Sequence, residues 1–208
     1  MRHWHKALSL TVATLLAITT RAGQADDYDR VEEDWEIVIG EPSPQDEAPQ
    51  ILNVISPQGT QSGEFYVFEL NHSTQPEYAA GGMQLQRWTG DTVRGWKSKN
   101  TTASLAIPGE TIRYTLRMRV IDNDLWVSVR NGTSQTWGTF GGDELRLWSG
   151  STFYNLNSYR TSHSTSNSRV GFASYRVTSF VLKEVRYYSN GELVQTDETD
   201  RVVHEYNP

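Results

Sequence analysis

The sequence predicts an all-β fold, a two-sheet antiparallel β-sandwich of the jelly-roll kind, and three observations lead there. Short runs rich in Val, Ile, Tyr, Phe and Trp recur from about residue 51 to residue 194, punctuated by Gly, Asn, Asp and Ser. No window of helical length carries an apolar stripe with a 3.6-residue period. The chain contains no cysteine, so its stability must come from an extensive core between packed layers rather than from disulfides.

Residues 1–25 read as an export signal. Arg2 and Lys6 precede an apolar run over 7–18 and then small residues ending at Ala25. That run is too short to span a membrane, and no other stretch approaches the roughly 20 apolar residues a span needs. The expected product is a secreted protein (extracellular, cell-surface or periplasmic) with no membrane span once the signal is removed. The short signal and the absence of disulfides favour a bacterial source, in which the sequons at Asn71, Asn100 and Asn131 are plain loop residues. Removal of the signal leaves 183 residues, a single-domain length, with 16 basic against 25 acidic residues and a formal charge of −9. Nucleic acid is therefore not an expected partner, because phosphate neutralisation supplies most of that affinity.

Residues 26–50 read as an acidic, proline-rich arm ahead of a sandwich over 51–208. In "VEEDWEIVIGE" (31–41) Glu32, Asp34 and Glu36 alternate with Val31, Glu33, Trp35, Ile37 and Ile39. This pattern suits an arm or an edge strand anchored by Trp35, Ile37 and Ile39, since exposed acids on an edge discourage sheet-to-sheet aggregation. "GEPSPQDEAPQ" (40–50) follows, with three prolines and no periodicity, as a linker.

Strands are predicted at 51–55, 64–71, 83–88, 93–98, 103–107, 111–121, 124–130, 135–139, 144–148, 169–174, 177–188 and 192–195. "SYRTSHSTSNS" (158–168) reads as a long exposed loop. The clearest element is "TIRYTLRMRVIDNDLWVSVRNG" (111–132). Ile112, Tyr114, Leu116, Met118 and Val120 alternate with polar residues, and Leu125, Val127 and Val129 do so on the return. Both apolar sets share a face only if the turn has an even number of residues. A two-residue Asp122-Asn123 turn fits, with Val120 opposite Leu125 and Met118 opposite Val127. A slip of one residue would bury arginines.

This register sets Arg119 across from Trp126 and Arg117 across from Ser128 on the other face. One reading is a solvated face in which arginine stems cover the indole and pair with local acids. The other is a binding surface on which the indole stacks on sugar rings and guanidiniums bond hydroxyls, carboxylates or sulfates. A second polar face lies in "GGMQLQRW" (81–88), where Gln84, Gln86 and Trp88 share a side opposite Met83 and Leu85.

The hairpin, "NGTSQTWGTFGG" (131–142) and "RVGFASYRVTSFVLKEVRYYSNGEL" (169–193) together resemble the concanavalin A-like lectin and glucanase superfamily, which includes laminin G-like domains. The resemblance covers about a third of the chain. It implies a jelly roll whose concave sheet often binds carbohydrate and in some branches hydrolyses it; fold alone does not decide between these. In laminarinase- and lichenase-like members, a glutamate, an aspartate and a glutamate alternate on one strand as nucleophile, helper and general acid. Glu32, Asp34 and Glu36 match that spacing, which suits the roughly 5 to 5.5 Å between the carboxyls of a retaining glycosidase. Their position differs from the family pattern, in which several strands precede the motif and the residue in the place of Glu33 is apolar.

Other chemistries have less support. His72, His163 and His204 lack metal-ligand spacing, Asp122-Asn123-Asp124 is explained by its turn, and no nucleophile elbow, phosphate loop or dinucleotide fingerprint occurs. No metal and no cofactor is expected. The expected function is non-catalytic binding of carbohydrate or another extracellular polymer by Trp126, Arg117 and Arg119, then by Trp88, Gln86 and Gln84. The alternatives are a glycoside hydrolase or polysaccharide lyase of the same fold, and a structural cell-surface or matrix protein.

Overall fold

Period-2 alternation organises both sheets of the computed structural model, which describes residues 27–41, 49–70, 82–99, 101, 105 and 107–206. The described strands are β1 (Arg30–Ile39), β2 (Gln50–Ile55), β3 (Glu64–Leu70), β4 (Met83–Thr89), β5 (Thr92–Lys99), β6 (Thr111–Ile121), β7 (Asp124–Ser134), β8 (Gly138–Phe140), β9 (Arg146–Thr152), β10 (Arg169–Phe172), β11 (Val177–Ser189), β12 (Glu192–Asp197) and β13 (Arg201–Glu205). An eight-stranded sheet runs β12-β11-β1-β6-β7-β8, with β13 also on β11 and β9 also on β7, and a five-stranded sheet runs β10-β2-β3-β4-β5. All pairings are antiparallel. The expectation of a two-sheet antiparallel sandwich is met.

The core lies between the sheets. Ile37, Leu116, Val127 and Phe180 from the larger sheet pack with Ile51, Phe68 and Leu85 from the smaller one, all fully buried. Burial of each such side chain contributes about 1.5 to 3 kcal/mol. Phe68 meets Tyr114 edge to face at 5.0 Å between centroids, and Asn53 Nδ2 donates to the Tyr114 hydroxyl at 3.0 Å, so this buried polar pair bridging the layers is satisfied.

The arginine hairpin has the expected register. Asp122 and Asn123 form its turn with φ of 52° and 65°, Val120 faces Leu125, Met118 faces Val127 and Arg119 faces Trp126. Elsewhere the expected strands shift by a few residues. The segment 135–139 is mostly a turn leading into β8, β13 was not foreseen, and 103–107 lies largely outside the described residues, as do 1–26, 42–48 and His72.

Two expectations are corrected. The acidic opening is neither an arm nor an edge strand: β1 is hydrogen-bonded to β11 on one side and to β6 on the other, so the folded body includes β1 rather than beginning near Ile51. Its four apolar inward residues, Val31, Trp35, Ile37 and Ile39, are buried at 1% exposure or less, and an inner strand satisfies both edges of its backbone. Glu33, which sits among them, is fully buried and accepts from Tyr159 OH at 2.6 Å and from Trp35 Nε1 at 3.0 Å.

The serine-rich segment is likewise more than an exposed loop. It contains a short helix, α1 (Thr161–Asn167), with Tyr159, Ser164 and Ser168 buried. Its residues are weak helix formers, so tertiary contacts hold it. Val54 N donates to Ser168 Oγ at 2.9 Å, and Ser168 Oγ in turn donates to Asn53 Oδ1 at 3.4 Å. Among the described residues no helix is long and apolar enough to cross a membrane.

Candidate functional site

Because β9, β7, β6 and β1 are neighbours, their outward residues line up in rows across the strands. One row reads Arg30, Arg119, Trp126, Trp148, and the next reads Glu32, Arg117, Ser128, Arg146. The structure therefore brings Arg117, Arg119 and Trp126 together, as expected, and adds Arg146, Trp148, Arg130 and Arg30. The sequence signal for Arg146 and Trp148 was their alternation with buried Leu145 and Leu147.

The Arg146 guanidinium lies 3.8 Å above the Trp126 ring and leaves the indole half-buried, while Trp148 is 51% exposed. A cleft of about 200 Å³ is lined by Arg117, Arg119, Trp126, Ser128 and Arg130, with Arg146 above. Arg130 Nε donates to Ser128 Oγ at 3.3 Å. The highly exposed Asp143 lies 3.5 Å from Arg146 and 4.0 Å from Arg130, and Glu32 lies 3.5 Å from Arg30. Among the described residues no carboxylate lies within 4.0 Å of the Arg117 or Arg119 guanidinium, and neither makes a hydrogen bond. Burial pulls the pKa of Arg117 down, and the charges of Arg130, Arg30 and Arg119 push the same way against Glu32. A half-buried guanidinium among like charges is a site that favours an anion.

The other half of the same face has a different chemistry. Glu32, Asp34 and Glu36 do share one side of β1, and each is engaged by arginine. Arg186 Nη1 and Nη2 donate to the two Asp34 oxygens at 2.6 and 3.0 Å, Arg186 also bonds Glu184 at 2.8 Å and Glu32 at 3.3 Å, and Arg113 bonds Glu36 at 2.6 Å. Arg30 stacks on Tyr188 at 3.5 Å and lies 3.5 Å from Glu32. Burial lowers the pKa of Arg186, but its bonds and charge contacts with Asp34 and Glu184 outweigh that and hold it above its ordinary value. A cleft of about 430 Å³ opens beside this network, lined by Asp34, Glu36, Arg113, Thr115, Asn131, Lys183 and Arg186.

Gln84, Gln86 and Trp88 lie on the outer face of the five-stranded sheet, apart from Trp126. Gln86 is 5% exposed and its amide is occupied, donating to Glu69 at 3.1 Å and Gln84 at 2.6 Å and accepting from Trp88 Nε1 at 2.8 Å. Trp88 stacks on Phe65 in a second apolar cluster with Val54, Val67 and Leu52. Gln86 and Trp88, but not Gln84, line a cleft of about 350 Å³, with the Gln86 amide turned on its neighbours. His163 and His204 lie on different elements, α1 and β13, and no metal-holding group of three or more His, Cys, Asp or Glu occurs among the described residues.

No protein-family model matches the chain, and no curated protein matches its sequence.

Proposed function

We propose that this protein is an exported, non-catalytic binder of carbohydrate or another extracellular polymer, akin to concanavalin A-like domains, which holds its ligand on the solvent face of the eight-stranded sheet. The observation that carries this reading is Arg117 and Arg119, two partly buried guanidiniums without a carboxylate partner among the described residues, in register with Ser128 and the indole of Trp126. Indole faces stack on the apolar faces of sugar rings, and guanidiniums donate in pairs to oxygens, so the two side-chain types complement one polymer. Trp126→Ala should weaken retention on a binding polysaccharide roughly tenfold, the scale of one well-placed aromatic contact, with an unchanged unfolding midpoint. Undiminished retention on a confirmed ligand would reject the assignment.

Hydrolysis is the second reading, and one observation favours it: Asp34 and Glu36 line a cleft on an inner strand. Against it, Glu32, Asp34 and Glu36 are each held by arginine. A retaining glycosidase needs one carboxylate free to attack and one acid free to protonate the leaving oxygen. Release of reducing sugar from a bound polysaccharide, abolished by Asp34→Asn, would favour hydrolysis over simple binding.

A further inference from the structure

The clefts around Trp126 are not separate. Trp126 and Arg146 line both the cleft that contains Arg117 and Arg119 and a second one of about 370 Å³ that reaches Trp148, Trp96, Arg87 and Lys97. Arg87 Nη1 donates to the Trp148 carbonyl at 3.0 Å, which ties the smaller sheet to the rim of the larger one. The two clefts thus form one trough crossing β9, β7 and β6. Two inter-strand steps of about 4.8 Å make it roughly 10 Å wide, room for more than one sugar ring.

Its charge contrasts with the rest of the molecule. The chain carries 25 acidic against 19 basic residues, yet Arg87, Lys97, Arg117, Arg119, Arg130 and Arg146 line the trough, and Asp143, highly exposed at its margin, is the acid that pairs there. We infer that the ligand is an acidic polysaccharide, whose carboxylate or sulfate groups sit against Arg117 and Arg119 while its sugar rings lie over Trp126 and Trp148. This rests on the carbohydrate reading above. Guanidiniums pair bidentately with either anion, and two exposed or half-exposed indoles in one row supply stacking that a simple counter-ion would not use. A nucleic acid fits less well, because one phosphate charge per roughly 1.7 Å of duplex meets the repulsion of the acidic remainder of the surface, whereas acidic sugars space their charges more widely.

The test is affinity electrophoresis of the full mature chain in native gels containing polygalacturonate, dextran sulfate, neutral dextran, xylan or single-stranded DNA. The expected result is retardation by polygalacturonate or dextran sulfate, weakened by added salt, with little effect of the neutral polymers. Which of the two acidic polymers retards more distinguishes carboxylate from sulfate recognition. Arg117→Gln with Arg119→Gln should cost about tenfold or more in affinity, and Trp148→Ala about threefold, at unchanged thermal midpoints. Arg119→Gln alone serves as the control on folding, since that side chain makes no hydrogen bond in the structure. Retardation by neutral polymers that survives the arginine changes but not Trp126→Ala would overturn the acidic-ligand inference and leave carbohydrate binding standing. Binding tightest to DNA would overturn the inference in favour of a nucleic acid, and retardation by none of the polymers would overturn both readings.

Discussion

The solvent face of the larger sheet has two halves built from the same residue types and used differently. Across β1, β11 and the start of β6, Arg186, Arg113 and Arg30 meet Glu32, Asp34, Glu36 and Glu184. Across β6, β7 and β9, Arg117 and Arg119 have no carboxylate partner among the described residues, and Arg130 and Arg146 share only the exposed Asp143. Guanidiniums neutralised within the fold hold strands together. Those left unneutralised are available to something outside it, and the structure bears the desolvation of Arg117 without a compensating bond. The boundary between the halves crosses β6, between Arg113, which pairs with Glu36, and Arg117, which pairs with no carboxylate among the described residues.

Three measurements would break or sharpen that contrast. The largest effect concerns the acid of β1 that faces inward. Burial pushes the Glu33 carboxyl from 4.5 up to about 7, and the hydroxyls and indole around it offset that burial only in part. A raised folded-state pKa means that the fold holds its proton longer than the unfolded chain does. Stability is then greatest below about pH 4.5 and declines as pH rises to about 7, by about 3 kcal/mol for this group. Urea unfolding across that range should show the slope in the wild type and a flatter profile in Glu33→Gln; an equal slope in both would assign the effect elsewhere.

Next in size is Arg186→Ala, which leaves Glu32, Asp34 and Glu184 facing one another. The side chain is 21% exposed, so the cost should fall below that of a fully buried pair, at about 2 kcal/mol. Arg186→Lys should recover only part of it, because an ammonium cannot grip both Asp34 oxygens. The smallest expected effect is Arg117→Gln in the unpaired half, a change of about 0.5 kcal/mol or less in either direction. A loss above about 1.5 kcal/mol on chemical denaturation would show that this half is structural too, and the contrast would collapse.

Legibility in the sequence followed the range of the interaction. The hairpin was readable to single-residue register because its two strands are joined by Asp122-Asn123 and a slip would bury arginine. The pairing of Arg119 with Trp126 came with it. Strand β1 was misplaced because its neighbours lie far along the chain: Glu36 meets Arg113, and Asp34 meets Arg186, 152 residues away. The proline-rich stretch after it suggested detachment from the body, and nothing local contradicts that suggestion. The short helix α1 was missed for the same reason, since serine and threonine favour loops until Ser168 is bonded by Val54.

The sequence alone determined which residues of each strand point inward and which point outward, because side chains alternate by local geometry whatever the strand pairs with. It thereby placed Glu32, Asp34 and Glu36 on one face, and Arg117 and Arg119 on one face with Trp126. Only the tertiary structure decided that these faces are the same one, with β1 inserted between β11 and β6. That order set which arginines are neutralised and which are not. Strand order is fixed by burial and hydrogen bonding between segments remote in sequence, and the period of two carries no record of it.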